Sequence, residues 1–61
     1  MDEYYYVIYF SDGTKQESGT YSGVGAETSC EIAAQQEFDR QQQFLKDIKY
    51  HYPTRWDVKK R

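Results

Sequence analysis

Seven consecutive residues, Tyr4-Tyr5-Tyr6-Val7-Ile8-Tyr9-Phe10, are all aromatic or β-branched. Such side chains lose rotamer freedom in a helix but pack well on a pleated surface, so the run is predicted as a strand. Because it has no polar position, neither face of that strand is an ordinary solvent face. Alternation puts Tyr4, Tyr6, Ile8 and Phe10 on one side and Tyr5, Val7 and Tyr9 on the other. The first set holds the larger aliphatic residue and the phenylalanine and is assigned to the core. Tyr5, Val7 and Tyr9 are left to line an open face. A register error of one residue would exchange the two sets.

Ser11-Asp12-Gly13-Thr14 follows the strand. Asp-Gly is a hairpin signal, because a type I′ turn needs positive φ at both central residues. The second strand is expected over Thr14 to Ser22. It is polar and interrupted by Gly19, which suits an edge position. Gly23-Val24-Gly25 is a connector. Thr28-Ser29-Cys30-Glu31 then matches a capping box. Beyond it, Cys30, Ala34, Phe38, Leu45, Ile48 and Tyr52 recur at three, four or seven residues, the stripe of an amphipathic helix. Ile32 does not fit this stripe. Gln35, Gln36, Asp39, Arg40, Gln42 and Gln43 fall elsewhere on the wheel, and Gln41-Gln42-Gln43 reads as solvated. Pro53 requires the helix to end by about Tyr52. The alternative is an end near Lys46 followed by an alternating strand from Ile48 to Tyr52; the apolar spacing favours the longer helix. Arg55 to Lys59 alternates around Trp56 and Val58 and is predicted as a short third strand. The order is ββαβ, an α+β fold in which a small antiparallel sheet (an N-terminal hairpin plus a short C-terminal strand) packs on one amphipathic helix.

Sixty-one residues allow one domain, 1–61, near the lower size limit for folding alone. Aromatic residues supply 18% of the chain against 38% hydrophobic in all, so a few large rings must do the work of many aliphatic side chains. The single cysteine, Cys30, excludes an internal disulfide, and with His51 as the only histidine no Cys/His zinc set can be assembled. No cofactor motif is present. The acidic start Met1-Asp2-Glu3 lacks signal-peptide character, no apolar run approaches the ~20 residues that span a bilayer, and there is no asparagine to glycosylate. A cytoplasmic, soluble protein without membrane partners is the expectation. Charge is divided: residues 1–45 carry two basic against eight acidic side chains, and residues 46–61 six basic against two acidic. This asymmetry points to a charged partner without naming its type.

No catalytic set emerges. Cys30 and His51, on one helix, would lie ~30 Å apart, out of hydrogen-bond reach, and Cys30 reads as a small core residue. The carboxylates sit in polar stretches where exposure keeps them ionised, with Glu27 and Glu31 suited to the positive end of the helix dipole. Gly19 to Gly25 lacks the Gly-Lys-Ser/Thr ending of a phosphate loop and reads as a link. The set with binding potential is Tyr5, Val7 and Tyr9, joined by Arg55 and Lys59 if the third strand neighbours the first. Exposed tyrosines beside cations suit a protein contact or stacking of nucleic-acid bases; a purely structural role is the third reading. The acidic net charge of −2 opposes backbone-driven nucleic-acid binding. Lys59-Lys60-Arg61 reads as a solvated, frayed end.

The hairpin with its Asp12-Gly13 turn, the helix opened by Thr28 and Glu31, and Tyr52-Pro53 leading into a short basic strand resemble small accessory proteins of bacteriophages and mobile elements. That group includes anti-CRISPR proteins and other inhibitors of host machinery. The layout also looks similar to the arm-binding domains of tyrosine integrases, which are typically basic. The phage resemblance implies a small non-enzymatic protein-binding domain acting on a host protein complex, with a nucleic-acid-binding module as the alternative; it carries over no functional residue. A homodimer, through edge strands or tyrosine faces, is a further expectation.

Overall fold

The computed structural model describes residues 2–45 and 51–61, with all their side chains except those of Phe44 and Leu45. Five elements follow in order: β1 (Glu3–Phe10), β2 (Lys15–Glu17), β3 (Tyr21–Ser22), α1 (Ala26–Leu45) and β4 (Pro53–Lys60). β1 is central. β2 and β3 both pair antiparallel with it on one edge, and β4 pairs antiparallel with it on the other. The fold is therefore α+β, one helix packed on a small antiparallel sheet.

The predicted second strand is split in two. Val7 faces Glu17 and Tyr4 faces Tyr21, so one extra residue is accommodated across Ser18-Gly19-Thr20. Ser18 keeps the ladder connected: its N–H donates to the Tyr6 carbonyl at 2.9 Å, and its Oγ accepts from the Tyr6 N–H at 2.9 Å. A serine hydroxyl thus replaces a backbone carbonyl where the strand bulges.

The hairpin turn differs from the type I′ expectation. Gly13 N–H donates to Phe10 O at 3.1 Å, Phe10 N–H donates to Thr14 O at 2.9 Å, and only Gly13 has positive φ, at 90°. This is a three-residue loop with a bulge glycine. Asp12 stays at negative φ because its Oδ1 accepts from both Thr14 N, at 3.0 Å, and Thr14 Oγ1, at 2.6 Å.

The helix begins earlier than the capping box places it. Ser29 N–H donates to Gly25 O at 2.9 Å, the first intrahelical bond, which makes Gly25 (φ 77°) the N-cap. Thr28 lies exposed inside the first turn. A glycine can take the left-handed conformation that turns the chain out of Gly23-Val24 directly into the helix.

At its other end, the described helix runs to Leu45, and His51 and Tyr52 are in neither helix nor strand. The stripe therefore does not reach Tyr52, which is 45% exposed and held against the turn: Ser11 N–H donates to Tyr52 O at 2.8 Å and Tyr52 N–H to Ser11 Oγ at 3.1 Å. The preferred longer helix is corrected to this extent. Residues 46–50, which include Ile48 and the alternative helix end near Lys46, and the Leu45 side chain lie outside the described residues.

The buried core consists of Val7, Ile8 (0% exposed), Phe10 and Pro53 of the sheet and Ala26, Cys30 and Ala34 of α1. Three small residues at every fourth position make a flat helix stripe that lets the backbone approach the sheet. Burying Ile8 contributes roughly 1.5–3 kcal/mol. Tyr6, Tyr21, Phe38 and Trp56 are half-buried around this centre, and Ile32, off the stripe, is 55% exposed.

Gln41 corrects the reading of the glutamine run as solvated. It is 8% exposed, and its amide donates to Gln16 Oε1 at 3.0 Å and Glu37 Oε1 at 2.8 Å, tying α1 to β2. Glu37 is held below the usual carboxylate range by the Arg40 guanidinium and by Gln41.

Candidate functional site

The helix covers the even-numbered face of β1. Trp56, paired with Ile8, donates its indole N–H to Gln35 Oε1 at 3.3 Å, and Tyr6 lies by Glu37 and Cys30. The opposite face is therefore open, and antiparallel register defines its contents. Tyr5 faces Lys59, Val7 faces Asp57 and Glu17, and Tyr9 faces Arg55 and Lys15. All five residues singled out from the sequence, Tyr5, Val7, Tyr9, Arg55 and Lys59, thus stand on one face.

Their geometry is more specific than a row of exposed rings. The Arg55 guanidinium carbon lies 3.9 Å from the Tyr9 ring centroid, and Lys59 Nζ lies 6.0 Å from the same ring. Arg61 Cζ lies 4.3 Å from the Tyr5 centroid. Cations over aromatic faces at these distances are attracted by the ring quadrupole. Tyr9, with smaller effects from Tyr5 and Asp57, pushes the Lys59 ammonium up from the ordinary lysine value.

Val7 differs from its companions. It is 1% exposed, so it supports the face without being able to touch a partner. Its cross-strand neighbours Glu17 and Asp57, and Tyr5 and Tyr9 along its row, all carry longer side chains, which lie over a short valine.

Four charged residues were missed from the sequence. Lys15 and Glu17 stand on this face and pair at 3.7 Å, Asp57 faces Val7, and Arg61 covers Tyr5. Residue parity within the last strand could have found Asp57 and Arg61, which share a side with Arg55 and Lys59. The frayed-end reading of Lys59-Lys60-Arg61 is corrected: Lys59 and Lys60 belong to β4, and Arg61 N–H donates to Glu3 O at 2.8 Å. The face is consequently mixed in sign, with Lys15, Arg55, Lys59 and Arg61 set among Glu3, Glu17 and Asp57.

Elsewhere, His51 stacks on Phe10 with centroids 4.4 Å apart, and its Nδ1 lies 3.0 Å from Asp12 Oδ2. The Asp12 carboxyl is lowered to about 2, first by the two bonds from Thr14 and then by His51. Cys30 is buried in the core, and burial followed by Glu31 pushes its thiol up. A shallow groove at the start of α1 is lined by Asp2, Tyr4, Val24 and Glu27. Among the described residues, no three His, Cys, Asp or Glu side chains are grouped to hold a metal ion, and no helix is long and apolar enough to cross a membrane.

No family model, no curated protein and no solved structure matches the chain.

Proposed function

We propose that the chain is a small non-enzymatic binding module that holds a partner protein on its open sheet face, through Tyr5, Tyr9, Arg55, Lys59 and Arg61. The observation that carries this reading is the pair of arginine–tyrosine stacks, Arg55 on Tyr9 and Arg61 on Tyr5. Stacking holds flexible arginines in place before any partner arrives, which reduces the entropy lost on binding. Tyrosine and arginine are the residue types on which interface energy concentrates.

A nucleic acid is the second reading, favoured by the same rings and cations. The interleaved carboxylates Glu3, Glu17 and Asp57 oppose it, since a phosphate backbone tracking the sheet would meet them along with the cations. The arginines also occupy ring surface on which bases would stack.

The likeness in layout to phage and mobile-element accessory proteins makes a host protein complex the partner to test first. An unpaired, buried Cys30 suits a reducing compartment, and we place the module in the cytoplasm.

The test is retrieval of bound macromolecules from lysate of the source organism, with and without nuclease and at two salt concentrations. A discrete protein that survives both treatments, is lost with Tyr9→Ala and Arg55→Glu, and is retained by Ile32→Ser supports the proposal. Nucleic acid that elutes with salt supports the second reading. Binding unaffected by either face variant overturns the site.

A further inference from the structure

Two cations of β4 gather on one ring. Arg55, directly opposite Tyr9 in the ladder, brings its guanidinium carbon to 3.9 Å from the ring centroid. Lys59, further along the same face of β4, brings its ammonium to 6.0 Å from the same point. The Tyr9 hydroxyl is the leading cause of the raised Lys59 ammonium, so Lys59 stands at the oxygen end of the ring while Arg55 covers its face.

The hydrogen-bonding capacity of this cluster is one-sided. Arginine and lysine side chains only donate. A phenol oxygen that faces an ammonium directs its own O–H elsewhere, so Tyr9 is also left with a proton to donate. Three donors therefore meet at one place on the open face, and none of them offers an acceptor.

Charge is uncompensated at the same place. Lys15, on the other side of Tyr9, pairs with Glu17 at 3.7 Å. Arg61 lies over the Tyr5 ring and stands beside Glu3 in the ladder. What remains around Tyr9 is Arg55 and Lys59, with Asp57 between them on β4. Among the described residues neither cation makes an ion pair with Asp57 or with any other carboxylate. Two positive charges against one negative leave a single charge in excess, which one monovalent anion neutralises.

We propose that Arg55, Lys59 and the Tyr9 hydroxyl form the anchor of the binding face and hold one carboxylate of a partner protein, an aspartate or glutamate side chain. The inference rests on the open face being the binding surface and names the group that this surface recognises. An ionised carboxylate only accepts, and its two oxygens match the parallel N–H groups of a guanidinium. The ring holds Arg55 in place beforehand, so the fork is ordered at little entropic cost. A nucleic-acid strand carries its charges in succession, and those beside the first would meet Asp57, Glu17 and Glu3. A lone carboxylate avoids them. Asp57, as the nearest like charge, weakens the anchor without blocking it.

Titration of the intact chain at low salt tests the proposal. The probes are a blocked pentapeptide with one central glutamate, its glutamine counterpart, and oligothymidylate, each followed through the arginine side-chain N–H resonances. Arg40, already paired with Glu37 on α1, is the internal reference. The glutamate peptide is expected to shift the Arg55 Nε–H saturably and leave Arg40 in place, and the glutamine peptide to shift neither. Arg55→Lys keeps the charge and loses the fork, and should weaken binding by about fivefold or more. Tyr9→Phe keeps the ring and loses the donor, and should weaken it by about two- to threefold, whereas Asp57→Asn should tighten it by about the same factor. Circular dichroism controls for folding, and the wild-type titration needs no variant.

Equal shifts with the two peptides, equal shifts at Arg55 and Arg40, or binding that Arg55→Lys or Tyr9→Phe leaves unchanged overturns the anchor. Tighter binding of oligothymidylate at the same resonance overturns it in favour of phosphate. The binding-face reading is judged separately, by retrieval from lysate. A protein lost with Tyr9→Ala but held equally by wild type and Arg55→Lys keeps the face and removes the carboxylate.

Discussion

The Arg55 guanidinium lies 3.9 Å from the centre of the Tyr9 ring, from a position directly opposite it in the β1–β4 ladder. The contact therefore depends on strand register, and a one-residue slip would remove it. It also joins the energetics of the sheet to the surface proposed to meet a partner.

A double-mutant cycle measures that contact. Arg55→Ala and Tyr9→Leu, singly and together, should show a coupling energy of about 0.5–1 kcal/mol in chemical denaturation, the range for an exposed cation–π pair. A coupling of zero within error would mean the stack contributes no order to the free protein.

The start of the helix is tested by two substitutions with opposite expectations. Thr28→Ala should change stability by less than about 0.5 kcal/mol, because Thr28 lies exposed beyond the true cap. Gly25→Ala should cost about 1–2 kcal/mol, because φ is 77° there, although a methyl group would meet nothing within 4 Å. Thermal or urea unfolding of both variants decides the matter. A capping box at Thr28 would reverse the order.

Acid sensitivity should trace partly to Asp12. Its folded value of about 2 lies below the ordinary 3.8, so the folded state favours the ionised carboxylate. The stabilisation is fully present above 3.8 and is lost as pH falls toward 2. Urea midpoints of wild type and Asp12→Asn should converge over that interval. A constant difference across it would exclude the Thr14 and His51 contacts as the cause.

In the core, Ile8→Ala should cost about 2–5 kcal/mol, enough to unfold a marginal domain. Phe38→Ala and Trp56→Ala should cost less than the ~3–5 kcal/mol of a fully buried ring, because both rings are half-buried. Denaturant midpoints that rank Phe38 or Trp56 above Ile8 would contradict the core assignment.

Residues 4–10 are uniformly aromatic or β-branched, residues 55–59 alternate with a period of two, and Cys30, Ala34 and Phe38 recur with the period of a helix. These short-range patterns were sufficient for the ββαβ order, the helix-covered face of β1 and the gathering of Tyr5, Tyr9, Arg55 and Lys59 on the other. Each depends only on how a regular backbone distributes its own side chains. Tertiary structure decided the remainder. Gln41 is buried because it meets Gln16, 25 residues away in sequence, and no local pattern marks one glutamine of three for that role. Val7 is covered because β2 and β4 bring longer side chains to either side of it. Gly25 displaces Thr28 as the cap because the path from β3 into the helix requires a left-handed residue there. The chain specified its elements through local periodicity. Which side chains are reachable, and which cations stack on which rings, was decided by long-range register, which only the assembled sheet defines.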